Sequence, residues 1–279
     1  MYNDIQNASR PRAIGSFHNL QELKKYVDGY DCGIKYMDGH LGSIFQLLKD
    51  KGIYEDTAII ITADHGENFG ELGIYGEHAT ADCATCKIPM IIKWPGGRKN
   101  TMDNQLRYSL DLLPTLAEIF NIDKSPRWSG QSFKSSLFKE VQDGRSELVI
   151  SQCAHVCQRS VVFDNYLYIR TYHDGYHLFP KEMLFNLKQD PKEQHNIAEE
   201  YPEICKDAVY RYLRWHDDMM NSMPYEIDPL WTVMKEHGPH HCRGNLKDYL
   251  IRLENTDRKD AAKILREKYP DEVTDKYEI

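Results

Sequence analysis

Apolar side chains recur at helical spacing from Leu20 to Lys51, and Gly52 then follows as a stop signal. This pattern predicts one long amphipathic helix that ends at Gly52. Its apolar positions are Leu20, Leu23, Val27, Ile34, Met37, Leu41, Ile44 and Leu48.

A second pattern begins with the apolar, β-branched run over residues 57–62, which stops abruptly at Asp64-His65-Gly66. Such a run is typical of a buried strand in a parallel sheet. Residues 64–86 are polar and rich in glycine, and a loop of this length in a compact domain is usually functional. The sequence predicts another strand over 88–94.

Further along the chain, Ser109 and Asp111 can cap a helix that runs to Phe120, with Pro114 tolerated in its first turn. Four short aromatic-rich segments then predict an antiparallel sheet, and Asp164-Asn165 predicts a hairpin turn between two of them. Helical spacing returns in three later segments. The strands are predicted over 148–150, 160–163, 166–172 and 183–187, and the helices over 202–221, 246–254 and 257–268.

These patterns divide the chain into four parts. We expect a linker over 1–19, part of an α/β catalytic domain over 20–146, a small sheet-and-helix subdomain over 147–223, and a helical tail over 224–279.

Composition excludes several classes of protein. The formal net charge of −8 over 279 residues argues against a nucleic-acid-binding surface, so no nucleic-acid partner is expected. No run of about 18 apolar residues occurs, so no membrane span is predicted. Nor does the N-terminus show the pattern of a signal peptide. These features favour a cytoplasmic chain, although a longer parent protein could be exported.

Seven cysteines do not suggest a complete set of disulfides. Cys83-x-x-Cys86 and Cys153-x-x-x-Cys157 could be imagined as a zinc site, but the pairs lie about 70 residues apart. We therefore expect free thiols and a reducing compartment.

The strongest candidate chemistry lies at Asp64 and His65, at the carboxyl end of the predicted strand. Ligands of open α/β sheets collect at this edge. A carboxylate and an imidazole there can converge on one metal ion, with Gly66 allowing a sharp turn. Taken alone, the pair suits Zn²⁺ or Mn²⁺. A structural interpretation also stands, in which Asp64 caps the next segment and His65 is a surface residue.

Five stretches together resemble the sulfatase family, within the alkaline-phosphatase-like superfamily of metal-dependent ester hydrolases. They follow the family's order and cover roughly residues 25–200. The stretches are 29–42, the Asp64-His65-Gly66-Glu67 loop through His78, the Cys86–Gly97 segment, Asp111-Leu112-Leu113-Pro114-Thr115-Leu116, and 184–198 with Leu184-Phe185-Asn186-Leu187.

The resemblance implies a fold, a reaction and a set of site residues. The fold class is α/β, part of an alkaline-phosphatase-like sandwich of helices around a mainly parallel sheet, followed by a small antiparallel sheet-plus-helix subdomain. The implied reaction is hydrolysis of a sulfate ester on a small molecule or glycan. Asp64 and His65 match metal ligands, and the implied cofactor is a divalent metal ion, usually calcium.

Two departures from the family pattern change the interpretation. No Cys/Ser-x-Pro-x-Arg motif, which carries the family's formylglycine nucleophile, occurs in the chain. Glu77 and His78 stand at or beside a position where many sulfatases have Lys. An imidazolium at His78 can donate to an anionic ester or protonate its leaving oxygen, so His78 is the candidate catalytic residue. A surface-loop histidine is the alternative.

We therefore interpret the chain as a C-terminal portion of a sulfatase-like enzyme that is inactive when isolated. A phosphodiesterase or phosphonate ester hydrolase of the same superfamily is one alternative. A non-catalytic interaction domain is another. A buried strand over 57–62 would pair with a neighbour on each edge, and unpaired edges promote self-association. The isolated chain is therefore expected to form a homo-oligomer.

Overall fold

The computed structural model describes residues 19–222, 227–256 and 258–273, so the predicted linker lies almost entirely outside the described residues. The helices are α1 Leu20–Asp50, α2 Cys83–Cys86, α3 Leu112–Ile119, α4 Lys134–Phe138, α5 Pro202–Ser222, α6 Pro229–Lys235, α7 Leu246–Asn255, α8 Lys259–Lys268 and α9 Pro270–Val273. The strands are β1 Ile59–Thr62, β2 Asn68–Phe69, β3 Tyr75–Glu77, β4 Met90–Lys93, β5 Glu147–Gln152, β6 Cys157–Phe163, β7 Tyr166–His173 and β8 Glu182–Asn186.

The chain forms two compact units that alternate along the sequence. Unit one contains the residues up to Val27, His65–Lys87, and everything from Val149 onward. Unit two contains Asp28–Asp64 and Ile88–Leu148. The predicted domain limits stay a prediction.

Helix α1 confirms the long helix predicted from the periodic pattern. Its start is capped, because the Asn19 side-chain oxygen accepts a hydrogen bond from the Glu22 N–H at 3.0 Å. Leu23 and Val27 pack against Tyr75 of strand β3. Beyond this contact, much of the apolar stripe remains exposed. Its exposed members include Tyr30, Ile34, Tyr36, Met37, Ile44 and Leu47.

In unit two, β1 pairs with β4 in an antiparallel register that places Ile60 opposite Ile92. The mainly parallel sheet expected from the sequence is therefore represented, among the described residues of this unit, by an antiparallel pair. The three isoleucines of β1 are half-buried rather than buried, and Thr62 is exposed. Helix α3 begins after a 3-10 turn, as predicted from Asp111 and Pro114.

Asp111 stabilises the start of α3. Its carboxylate is fully buried and accepts the Tyr108 and Gln131 N–H groups, each at 2.8 Å. It also forms a bidentate ion pair with Arg145, whose Nη1 and Nη2 atoms lie 2.5 and 2.7 Å from the two carboxylate oxygens. A buried carboxylate needs such partners because burial removes its hydration.

The sheet of unit one has the order β5-β6-β7-β8, which confirms the predicted antiparallel subdomain. Asp164 and Asn165 both have positive φ, 46° and 68°, as the predicted two-residue hairpin requires. Alternate side chains point to opposite faces. One face packs on the segment after β2 through Leu72, Ile74, Ala79, Leu167, Ile169, Met183 and Phe185. The other packs on α5 through Val161, Phe163, Tyr168, Leu184, Ala208 and Tyr212.

Helices α7 and α8 form a further cluster with Tyr176, which is fully buried. These helices confirm the two short elements predicted near the C-terminus. No helix among the described residues is long and apolar enough to cross a membrane.

Candidate metal centre

Three side chains of unit one converge on the connection that follows β1. One potential ligand atom from each of His65, Glu67 and His78 lies within 4.8 Å of the other two. The two imidazole rings stack with their centroids 3.8 Å apart. The nearest Glu67 carboxylate oxygen, Oε2, lies 3.7 Å from His78 Nδ1. Two nitrogens and one carboxylate oxygen form a donor set that divalent metal ions accept.

Gly66 holds this cluster against helix α2. Its N–H donates to the Thr85 carbonyl at 2.8 Å, and a Cβ at this position would lie only 2.0 Å from the Ala84 carbonyl oxygen. The requirement for glycine at position 66 is therefore close backbone approach, rather than the sharp turn that the sequence suggested. The His65 Nδ1 atom lies 2.8 Å from the Gly66 carbonyl oxygen.

A buried polar network fixes α2 beneath the site. Asp82 caps the helix by accepting the Thr85 N–H at 3.1 Å, and it accepts the Asn68 side-chain amide at 2.6 Å. The Thr85 hydroxyl donates to the other end of the Asn68 amide at 2.8 Å. Burial raises the pKa of Asp82, while these hydrogen bonds act in the opposite direction. The network ties β2 to α2 on either side of the loop that carries His78.

The intervening segment turns back through glycines with positive φ. Gly70, Gly73 and Gly76 have φ of 125°, 73° and 65°. A Cβ at Gly76 would meet the Tyr26 hydroxyl at 2.2 Å, so α1 also requires a glycine here. These turns form the β2–β3 hairpin and bring His78 back to His65.

Long-range hydrogen bonds anchor the start of α2 and the residues just before it. The Ala81 N–H donates to the Gln158 side chain at 3.1 Å, and the Cys83 N–H donates to Glu193 Oε1 at 3.0 Å. Glu193 is buried, and burial together with the nearby Asp82 charge raises its pKa to about 7. The site therefore rests on contacts with residues more than seventy positions further along the chain.

Glu77 is directed toward a histidine rather than toward the cluster. Its Oε2 atom lies 3.9 Å from Nε2 of His177, a side chain that is almost fully buried. Glu71, a second acidic residue of this segment, accepts the Phe69 N–H at 2.8 Å and pairs with Lys192. Its observed role is therefore local and structural.

Further imidazoles continue from the cluster, and we call the five side chains the histidine row: His65, His78, His155, His241 and His240. The ring centroids of His78 and His155 are 5.3 Å apart, and those of His155 and His241 are 4.4 Å apart. His240 adjoins His241 at 5.3 Å. The string from Gly238 to Gly244 thus folds back beside the site. Its Arg243 pairs with Glu236 at 3.4 Å.

Of the predicted site residues, the structure brings His65 and His78 together. Asp64 is exposed, follows β1 by two residues and ends unit two, and its role as a ligand stays a prediction. Sequence reasoning did not assign Glu67 to the site. Its spacing of two residues from His65 was the available signal, because side chains two apart in an extended segment point the same way.

Comparisons with known proteins identify the family of the chain. The sulfatase family model matches residues 3–122, and the model of the C-terminal region of N-sulphoglucosamine sulphohydrolase matches residues 70–214. Arylsulfatase K from Gallus gallus is 28% identical over 227 residues, which is 75% of this chain and 40% of that protein. The chain thus spans between about a third and a half of the length of the curated relatives it matches.

Solved structures show the same fold. A 2-O GAG sulfatase superposes with a TM-score of 0.65 at 22% identity, over 81% of this chain and 51% of that one. A phosphonate monoester hydrolase from Silicibacter pomeroyi superposes with a TM-score of 0.53 at 25% identity, over 68% and 40% of the two chains. Both results confirm the predicted α/β alkaline-phosphatase-like fold class. The chain belongs to the sulfatase family.

Proposed function

We propose that this chain supplies metal-binding and proton-donating groups to the catalytic site of a sulfuric ester hydrolase. The observation that carries the proposal is the convergence of His65, Glu67 and His78 on the segment that matches the sulfatase family model. Asp64 enters by its resemblance to a family metal ligand. His65, Asp64 and Glu67 would hold the ion, and His78 would act beside it.

The donor set fits a divalent metal ion. His65 offers a ring nitrogen and Glu67 a carboxylate oxygen within 4.8 Å of each other, and both are donors that divalent ions accept. When bound, the ion would neutralise the ester oxygens and stabilise the charge of the transition state.

His78 is the proposed proton donor. Its ring stacks on that of His65, and Glu67 Oε2 lies 3.7 Å from its Nδ1. This arrangement directs Nε2 away from Glu67. In a catalytic role, Nε2 would donate a proton to the leaving oxygen of the ester, and Glu67 would keep the ring in that orientation.

The kind of metal depends on the donors. Family resemblance favours calcium, which prefers oxygen ligands and would need Asp64 and Glu67. Imidazole nitrogen suits zinc or manganese better. We propose calcium as the family's ion, with zinc and manganese as the alternatives that the histidines favour.

The experiment is a calorimetric titration of the purified chain with Ca²⁺, Zn²⁺ and Mn²⁺. We expect His65→Ala to lower the affinity of the preferred ion by at least about tenfold, while His78→Ala changes it little. His195→Ala is the matched control, because that side chain is 79% exposed and pairs with Asp190. An equal loss in His78→Ala would make His78 a ligand and contradict its catalytic role. Unchanged affinity in His65→Ala would refute the metal centre.

The proposed substrate is a sulfate ester of a small molecule or glycan. Among the solved neighbours is a protein described in complex with its substrate, D-glucosamine-2-N,6-O-disulfate. That substrate belongs to the neighbour, and for this chain the glycan remains part of the proposal.

A phosphonate or phosphodiester substrate is the second candidate, because Glu77 and His78 stand at or beside the position where many sulfatases have Lys. Titration of the metal-loaded chain with sulfate and with methylphosphonate separates the two. Tighter binding of sulfate supports the leading proposal, and tighter binding of methylphosphonate supports the alternative.

A further inference from the structure

Two cysteines flank the connection between neighbouring strands of the sheet. Cys153 directly follows β5, and Cys157 is the first residue of β6. Residues that face each other at the base of such a hairpin have Cα atoms about 4.5–5.5 Å apart. A disulfide requires a Cα separation of about 4.4–6.8 Å. A connection between neighbouring strands is therefore compatible with a disulfide that joins its two ends.

The two thiols lie close enough to interact, and this interaction lowers the pKa of Cys153 and raises that of Cys157. Cys153 is half-buried, whereas Cys157 is fully buried. An external reagent can therefore reach the Cys153 thiol, whereas the buried Cys157 thiol is shielded from it.

We propose that Cys153 and Cys157 form a reversible disulfide by exchange with a low-molecular-weight disulfide such as oxidised glutathione. The Cys153 thiolate attacks one glutathione sulfur, the glutathione S–S bond breaks, and one glutathione leaves as a thiolate. Cys157 then loses its proton to solvent and attacks the Cys153 sulfur, which expels the second glutathione. Two protein thiols are oxidised, and one glutathione disulfide is reduced to two thiols.

A metal site does not explain these cysteines. Within the described ranges, the group of three or more potential metal ligands whose donor atoms lie close together is His65, Glu67 and His78. The zinc site imagined from Cys83-x-x-Cys86 and Cys153-x-x-x-Cys157 is therefore not assembled among these residues.

A third thiol supplies the main competing product. Cys242 is buried and lies close enough to Cys157 to raise its pKa further. Its loop is held beside the hairpin turn, because the His241 N–H donates to the Ala154 carbonyl at 3.0 Å. A Cys157–Cys242 bond would thus join two segments, whereas a Cys153–Cys157 bond closes one turn.

The remaining cysteines act as internal references. Cys83 and Cys86 lie on α2, where burial raises the pKa of both thiols, that of Cys86 to about 12. Cys32 is exposed on α1. Glutathione should therefore form a mixed disulfide at Cys32 and leave α2 unmodified.

The test treats the folded chain with oxidised glutathione, quenches it with acid, alkylates the remaining thiols and maps tryptic peptides by mass spectrometry. Cys153 and Cys157 share the peptide 146–159, and Cys242 lies in 236–243. We expect 146–159 to lose two hydrogens and to resist alkylation until dithiothreitol is added. Cys242→Ser should leave this result unchanged. Cys153→Ser should abolish it in a chain whose circular dichroism is that of the wild type.

Two results would overturn the proposal. One is 146–159 alkylated at both cysteines under conditions that glutathionylate Cys32. The other is a cross-link between 146–159 and 236–243, which would assign the bond to Cys157 and Cys242. Both are read on the wild-type chain, so the test stands even where a serine variant does not fold.

Discussion

Replacement of Glu193 by glutamine should remove a pH dependence of stability that this buried carboxyl creates. Glu193 is only 4% exposed, and it accepts the Cys83 N–H at the start of α2. Its pKa is raised from 4.5 to about 7 by burial and by the Asp82 charge. Glutamine keeps the shape and the accepting oxygen, but it carries no charge.

The direction of the pH dependence follows from the number of protons that the folded and unfolded chains bind. Between pH 4.5 and about pH 7 the folded chain keeps a proton on Glu193 that the unfolded chain has released. The free energy of unfolding therefore falls as the pH rises through this window, and the stabilisation is fully present only below it. At about 1.4 kcal/mol per pH unit, the fall amounts to about 3 kcal/mol.

The assay is urea unfolding of both proteins, followed by tryptophan fluorescence, at several values between pH 4.5 and pH 8. We expect Glu193→Gln to match the wild type at the acid end and to exceed it by up to about 3 kcal/mol at pH 8. Glu200→Gln is the control, because that side chain is exposed. Equal pH slopes in Glu193→Gln and the wild type would refute the reasoning.

Four further outcomes are expected. Gly66→Ala should cost about 1–3 kcal/mol and weaken metal binding, because its Cβ would meet the Ala84 carbonyl oxygen at 2.0 Å. Arg145→Met should cost about 3–5 kcal/mol in urea unfolding, because it leaves the Asp111 carboxylate buried without its cation. Light scattering should show a dimer or larger oligomer, since apolar side chains of α1 are exposed. The isolated chain should not hydrolyse an aryl sulfate, because it lacks the Cys/Ser-x-Pro-x-Arg motif.

Matched variants separate these effects from general damage. Gly42→Ala lies in α1 with nothing within 4 Å of the added Cβ, so it should be neutral or slightly stabilising. Lys99→Met breaks an exposed pair with Glu55 and should cost less than about 1 kcal/mol. A monomer at tens of micromolar would contradict the expected oligomer. Metal-dependent turnover of an aryl sulfate that Asp64→Ala abolishes would contradict the expected lack of hydrolysis.

Periodicity and turn chemistry were sufficient to predict most elements of the fold. Helix α1, the β6–β7 hairpin at Asp164-Asn165 and helix α5 follow directly from local patterns. The antiparallel pairing of β1 was not predicted, because an apolar run does not encode the direction of its neighbour.

The candidate site could be predicted only in part, for a similar reason. His65 and His78 were found from motif resemblance, but Glu67 was left undecided, since its burial and its contact with His78 arise from tertiary packing. Likewise, His155 and His241 are 86 positions apart in the sequence, and no local pattern indicates that their rings stack.

The anchoring of residues 65–87 also has a consequence for synthesis on the ribosome. The Ala81 and Cys83 N–H groups donate to Gln158 and Glu193, and apolar side chains of the segment pack on strands β7 and β8. At about 5–20 residues per second, those strands emerge many seconds after the histidines do. The emerging chain therefore carries an unsupported, glycine-rich segment during that interval. The segment that carries the candidate metal ligands can therefore make these contacts only after the sheet has left the exit tunnel.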